Sequence, residues 1–146
     1  MVMIEKMKAL VKRKDICVLA TVSDNNPHCS LMAYVTDDDC SEIYMVTNRQ
    51  TTKFRNLSAN PLVSLLIDTR EEHTGMQRPH AQALTVSGLY EEIQDETRKT
   101  RIQSRLLAKH PHIKDLMDMP DAEIFCVKVT SFLLLDGLSE AHFETL

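Results

Sequence analysis

Short apolar runs of strand length recur along this chain, and polar turn clusters separate them. From 16 to 23, Ile16, Val18, Ala20 and Val22 alternate with Cys17, Leu19, Thr21 and Ser23. Both sets are mostly apolar or small, which predicts a first strand buried on both faces. Asp24-Asn25-Asn26-Pro27 reads as a turn. A second strand is expected from His28 to about Thr36, followed by the charged turn Asp37-Asp38-Asp39. Ile43 to Thr47 gives a third, so the first three form a meander. Leu62 to Ile67 is almost wholly apolar and reads as a central fourth strand. Ala81 to Ile93 is a long fifth, in which Gly88 predicts a bulge or a close backbone approach. Glu123 to about Leu135 is the sixth. Hairpin order in a chain of 146 residues predicts a mainly β fold with helical insertions, a six-stranded antiparallel barrel. No βαβ alternation is present. The glycines, Gly75, Gly88 and Gly137, cannot build a phosphate loop of Rossmann or Walker type.

The insertions carry helical signals. Met3, Ile4, Met7, Leu10 and Val11 line one face of a first helix, interrupted at Asp15. Gln50 or Thr51 begins a short helix with Phe54 and Leu57 inward, and Asn60-Pro61 stops it. Asp95 caps a third helix facing inward with Ile102, Leu106 and Leu107, which Pro111 breaks. Ile113, Leu116 and Met117 give a further turn or two. The polar stretch from Asp68 to Pro79 is expected to be a mobile loop, and the tail from Gly137 shows no legible pattern. Residues 1–146 read as one domain.

Hydrophobic residues make up 43% of the chain and charged residues 26%, an ordinary globular balance. The net charge of −4 and pI near 5.8 oppose general nucleic-acid binding. No stretch free of charge is long enough to span a bilayer, and the start is an amphipathic helix rather than a leader. A cytoplasmic protein is expected. Cys17, Cys29, Cys40 and Cys126 form no C-x-x-C and read as buried free thiols.

One segment concentrates chemistry: Thr47-Asn48-Arg49-Gln50-Thr51-Thr52-Lys53-Phe54-Arg55-Asn56-Leu57. A strand ends, a polar turn follows, and a helix starts with two hydroxyls and a lysine. Helix N-termini present free amides and a positive dipole end. Thr51, Thr52, Lys53 and Arg49 together would seat a phosphate. The same residues also read as a plain helix cap with solvated cations. His110-Pro111-His112 and His28-Cys29 lack the four-ligand spacing of a zinc site, so no metal is expected. His73 lies within the polar stretch and His80 closes it.

Longer strings then add up. Leu19-Ala20-Thr21-Val22, Asn26-Pro27-His28, Ile43-Tyr44-Met45-Val46-Thr47, Lys53, Asn56-Leu57 and Asn60-Pro61-Leu62-Val63-Ser64-Leu65 together resemble the pyridoxamine 5′-phosphate oxidase-like, FMN-binding split-barrel family. The resemblance continues in Val86-Ser87-Gly88, Lys109-His110-Pro111 and Ile124-Phe125-Cys126-Val127-Lys128-Val129, covering roughly residues 8 to 136. It implies a split barrel that forms a homodimer with FMN between protomers. The strand bearing Ser30, Leu31, Met32 and Ala33 would lie along the flavin ring. Thr47 would sit near the ring or ribityl chain. Thr51, Thr52 and Lys53 would hold the phosphate, with Arg49 alongside. Met32, Ala33 and Val46 would form the apolar slot, and Gln82 would reach the partner's flavin. The chain departs from the oxidases at Ser30 and Thr52, where they carry arginines. It has no Trp and no arginine beyond Arg105. These departures argue against the vitamin B6 reaction and imply a small flavin-dependent redox protein. The alternative is a non-catalytic sensor or storage dimer of the same fold, binding haem or another cofactor.

Overall fold

The structure is a computed structural model and describes residues 2–146. Its elements in chain order are α1 (Met3–Arg13), β1 (Ile16–Ser23), β2 (Asn26–Ala33), β3 (Val35–Thr36), β4 (Glu42–Asn48), α2 (Thr52–Ala59), β5 (Leu62–Asp68), β6 (Gln82–Glu92), α3 (Glu96–Lys109), α4 (Lys114–Met117), β7 (Ala122–Asp136) and β8 (Glu140–Thr145). All strands join one antiparallel sheet in the order β2-β1-β5-β6-β7-β4-β3. β8 pairs with the second half of β7, on the edge whose first half carries β4.

The expected split barrel is present, and its split has a definable cause. β2 and β3 occupy opposite ends of the sheet, yet only Tyr34 separates them in sequence. The extended segment read from sequence as one strand changes partner there, from β1 to β4. Tyr34 is fully buried; its hydroxyl donates to the Val11 carbonyl at 2.6 Å and its amide to the Asp15 carbonyl at 3.0 Å. Those bonds serve polar groups that the break in pairing would leave orphaned.

The sheet encloses one core and carries another outside. Met7, Leu10 and Val11 of α1 plug the barrel against Leu19, Leu65, Phe125 and Phe132. A second core lies between α3, α4 and the outer side of β3, β4 and β7, built from Tyr44, Val46, Ile102, Leu106 and Ile124.

Several sequence expectations need correction. The first strand is buried on one face only: Ile16 is 48% exposed, because Ile16, Val18 and Ala20 face outward on an uncovered side of the sheet. The turn before β2 is two residues long. Asp24 and Asn25 both take positive φ, 51° and 63°, so Asn26 and Pro27 already belong to the strand. Cys29 is exposed, since it sits on that same outer face, while Cys17, Cys40 and Cys126 are buried. The tail forms β8, which adds to β7, and the segment before β6 closes in a short 3-10 turn, Gly75–His80. The bulge expected at Gly88 is present: β6 and β7 shift register between Ser87 and Gly88. A Cβ there would stand 2.6 Å from the Lys128 carbonyl oxygen, so only glycine fits.

Candidate functional site

β4 delivers the site and α2 completes it. Thr47 is next to last in β4, 1% exposed, on the barrel-core side of the strand with Met45. Three residues, Asn48 to Gln50, link it to Thr51, the cap of α2. Gln50 N–H donates to Asn48 Oδ1 at 2.8 Å, and Thr51 Oγ1 donates to the Asn48 carbonyl at 2.9 Å, which fixes the turn. Thr51 Oγ1 also accepts from Phe54 N–H at 3.3 Å, the N-cap bond. Among the described residues the Thr52 and Lys53 amides find no acceptor, as expected of a helix's first turn.

The Lys53 ammonium folds back to Thr47 Oγ1 at 3.2 Å, and Thr47 Oγ1 lies 3.4 Å from Thr51 Oγ1. Among the described residues no carboxylate comes within ion-pair distance of Lys53. Burial without a counter-charge lowers its pKa below the ordinary lysine value. A half-buried cation, two free amides and two hydroxyls thus share one corner. That corner is not plugged by a carboxylate of its own.

Arg49 behaves differently from the sequence expectation of a ligand group. Its guanidinium pairs with Glu123 at 3.0 Å and Asp121 at 3.5 Å and donates to the Pro120 carbonyl at 3.2 Å. Glu123 faces Thr47 across the β4–β7 pair, so Arg49 offsets a carboxylate that lies opposite the corner. Arg55 lies in the segment singled out from the sequence but was given no role there. It donates to Thr52 Oγ1 at 3.1 Å and brings a second cation to the helix start. The spacing of three between Thr52 and Arg55 was the available signal.

The proposed ring-side residues divide. Leu31 is 75% exposed on the outer face of β2, and Ser30 is half-buried beside it. Met32 points into the barrel core, and Val46 is buried in the second core with Ala33 packed against it. Gln82 opens β6 and lines a groove of about 290 Å³ with Lys6, Arg13 and Asp136. The larger concavities lie away from Lys53: about 570 Å³ between Val35, Asp37 and Arg105, about 500 Å³ over Ala20, Ser64 and Gly88, and about 370 Å³ between Leu31 and Arg70.

Two of the histidines have local hydrogen-bond partners. His110 is buried, with Nε2 2.9 Å from the Tyr34 carbonyl. His73 Nδ1 lies 2.8 Å from Thr69 Oγ1. Among the described residues no group of three or more His, Cys, Asp or Glu gathers to hold a metal ion, and no helix is long and apolar enough to cross a membrane.

A sequence model of the pyridoxamine 5′-phosphate oxidase family matches residues 3–136. The chain belongs to this family. Solved structures share the fold of this family member at low identity. A haem-binding protein from Mycobacterium smegmatis superposes with a TM-score of 0.84 at 16% identity, over 97% of this chain and 57% of that one. A FAD-binding protein from Mesorhizobium loti gives 0.73 at 17% identity, covering 92% and 94%. The haem storage protein HutZ from Vibrio cholerae gives 0.71 at 16%, covering 97% and 94%. The chain thus spans little more than half of the mycobacterial protein. Comparison with curated proteins finds no match.

Proposed function

We propose that this chain is an FMN-binding flavoprotein, a small oxidoreductase that works as a homodimer. The observation that carries this reading is Lys53: a half-buried ammonium with one hydroxyl partner and no counter-charge, at a helix start with two unpaired amides. A phosphate monoester brings about two negative charges at neutral pH and three acceptor oxygens, which matches that donor set. Arg55 at Thr52 restores a cation where the family's oxidases carry an arginine. Ser30 to Ala33 would run along the ring, and Gln82 would approach the flavin of the other protomer. FMN would supply hydride or electron transfer; the chain supplies position, field and exclusion of water. The free thiols fit a reducing compartment, so we place the protein in the cytoplasm.

A visible spectrum of the purified protein tests the reading, with mass spectrometry of the released chromophore. A flavin spectrum is expected. Lys53→Ala should weaken FMN binding at least tenfold, and Lys8→Ala, on α1, should leave it unchanged. Equal effects would refute the phosphate corner.

A second reading is a haem-binding dimer without catalysis, favoured by the haem proteins among the structural neighbours. His73 is the residue it would use. A Soret band that disappears in His73→Ala would select it over flavin.

A further inference from the structure

α3 is the most cationic element of a chain whose net charge is −4. Arg98, Arg101, Arg105 and Lys109 recur along it at helical spacing, which sets them in one row. A groove runs beside that row, where the helix meets β3 and β4. Its narrow end, about 220 Å³, lies between Tyr44, Arg98, Arg101 and Arg105. Its wide end, about 570 Å³, shares Arg105 and continues past Val35, Asp38 and Ala108 to Lys109 and to Lys12 of α1. Arg98 is held by Glu42. Among the described residues Lys12, Arg101, Arg105 and Lys109 have no carboxylate within ion-pair distance. Asp37 offers them nothing: its carboxylate accepts from Ser41 Oγ at 2.7 Å and from the Ser41 and Glu42 amides at 3.0 and 3.1 Å. Asp38 is exposed. The narrow end has a second feature. Tyr44, which lines it, is 6% exposed, and its hydroxyl finds no acceptor among the described residues. The Glu42 carboxylate serves Arg98 and the Cys126 thiol instead. Burial raises the Tyr44 pKa, so the proton stays on its oxygen and is available to an occupant of the groove.

We infer that this groove binds a phosphorylated small molecule that carries a second anionic group. The phosphoryl group sits at Arg101, Arg105 and Tyr44, and the second group at Lys109 and Lys12. A phosphoryl group brings three acceptor oxygens, which two guanidinium forks and a phenol can serve together; a carboxylate brings only two. From Arg101 to Lys109 the helix rises by about 12 Å, which sets the distance between the two anionic groups. Val35 and Ala108 give the body of the ligand an apolar wall between them. Tyr44 and Thr47 are an odd number of positions apart on β4 and so point to opposite faces of the strand. The groove is therefore separate from the Lys53 corner, and the inference goes beyond the cofactor reading and does not depend on it.

Titration calorimetry with hexanediol bisphosphate, hexyl phosphate and octanedioate tests it, on wild type and on Lys53→Ala, in which the α2 corner is disabled. The bisphosphate is expected to bind both chains saturably and with the same affinity, tighter than either other probe. Arg101→Gln, at an exposed position, and Tyr44→Phe, which keeps the ring, should each weaken both phosphate probes about fivefold. Lys109→Gln should weaken the bisphosphate by a similar factor and leave hexyl phosphate unchanged, because only the longer probe reaches it. Lys99→Gln, on the same helix but outside the groove, should change neither, which separates a site from a diffuse cationic field. Absence of bisphosphate binding to Lys53→Ala overturns the inference, as does an equal loss in Lys99→Gln and Arg101→Gln, an unaffected Tyr44→Phe, or octanedioate binding as tightly as the bisphosphate. FMN titration of the same samples separates the two readings. Bisphosphate binding without FMN binding defeats only the cofactor proposal, and FMN binding without bisphosphate binding to Lys53→Ala defeats only the groove.

Discussion

Arg49 holds the Glu123 carboxylate at 3.0 Å, directly across the β4–β7 pair from Thr47. The Glu123 side chain is only 11% exposed, so its charge is poorly screened once unpaired. Arg49→Ala should therefore weaken FMN or phosphate binding by about fivefold, on the order of 1 kcal/mol of restored repulsion. Adding Glu123→Gln should recover the loss. Calorimetric titration of the single and double variants checks this, and an unaffected single variant would dismiss the role.

Lys53 sets a pH limit. Burial depresses its pKa, so the ammonium is lost at a lower pH than in an ordinary lysine. Without ligand the sign is the reverse of a paired lysine. The charged form costs stability below the folded pKa, and that cost lifts as pH rises through it. Anion affinity should be highest above the second phosphate ionisation, near pH ~6, and should fall as pH rises through the lowered Lys53 pKa. Binding curves from pH 6 to 10 read this directly. In Lys53→Arg the alkaline decline should vanish, since guanidinium stays charged.

Gly88→Ala should destabilise the fold by about 2 kcal/mol. The added Cβ meets the Lys128 carbonyl at 2.6 Å and Val127 Cγ1 at 2.7 Å, so β6 and β7 must separate. A urea midpoint close to that of wild type would show that the bulge relaxes freely.

Tyr34→Phe removes the donor to the Val11 carbonyl and leaves that oxygen buried and unserved, at a cost of about 1–3 kcal/mol. The loss falls where the chain leaves β1 for β4. Amide exchange in β3 should then accelerate more than in β5, and uniform exchange would contradict the hinge role.

Much of the fold was legible because its signals are local. Thr51 and Asp95 cap α2 and α3 as their side chains dictate, and Asn60-Pro61 and Pro111 stop the helices. Gly88 announced its bulge. The grouping of Thr47, Thr51 and Lys53 was legible for the same reason: they lie within seven positions, and one strand end plus one helical turn brings them together. β8 was missed because Glu140, His142 and Glu144 alternate with Ala141 and Phe143 on an uncovered strand, which leaves no apolar run to read.

The sequence by itself determined where strands, turns and caps occur, since alternation and capping act within a few residues. Tertiary structure alone decided which strands are neighbours. It split one extended segment at Tyr34 between two partners and turned Met32 inward while leaving Leu31 outside. It also paired Arg49 with Glu123 and Asp121, more than seventy positions away, and among the described residues left Lys53 without a carboxylate. Charge pairing depends on distance in space, and that distance exists only after the sheet has closed.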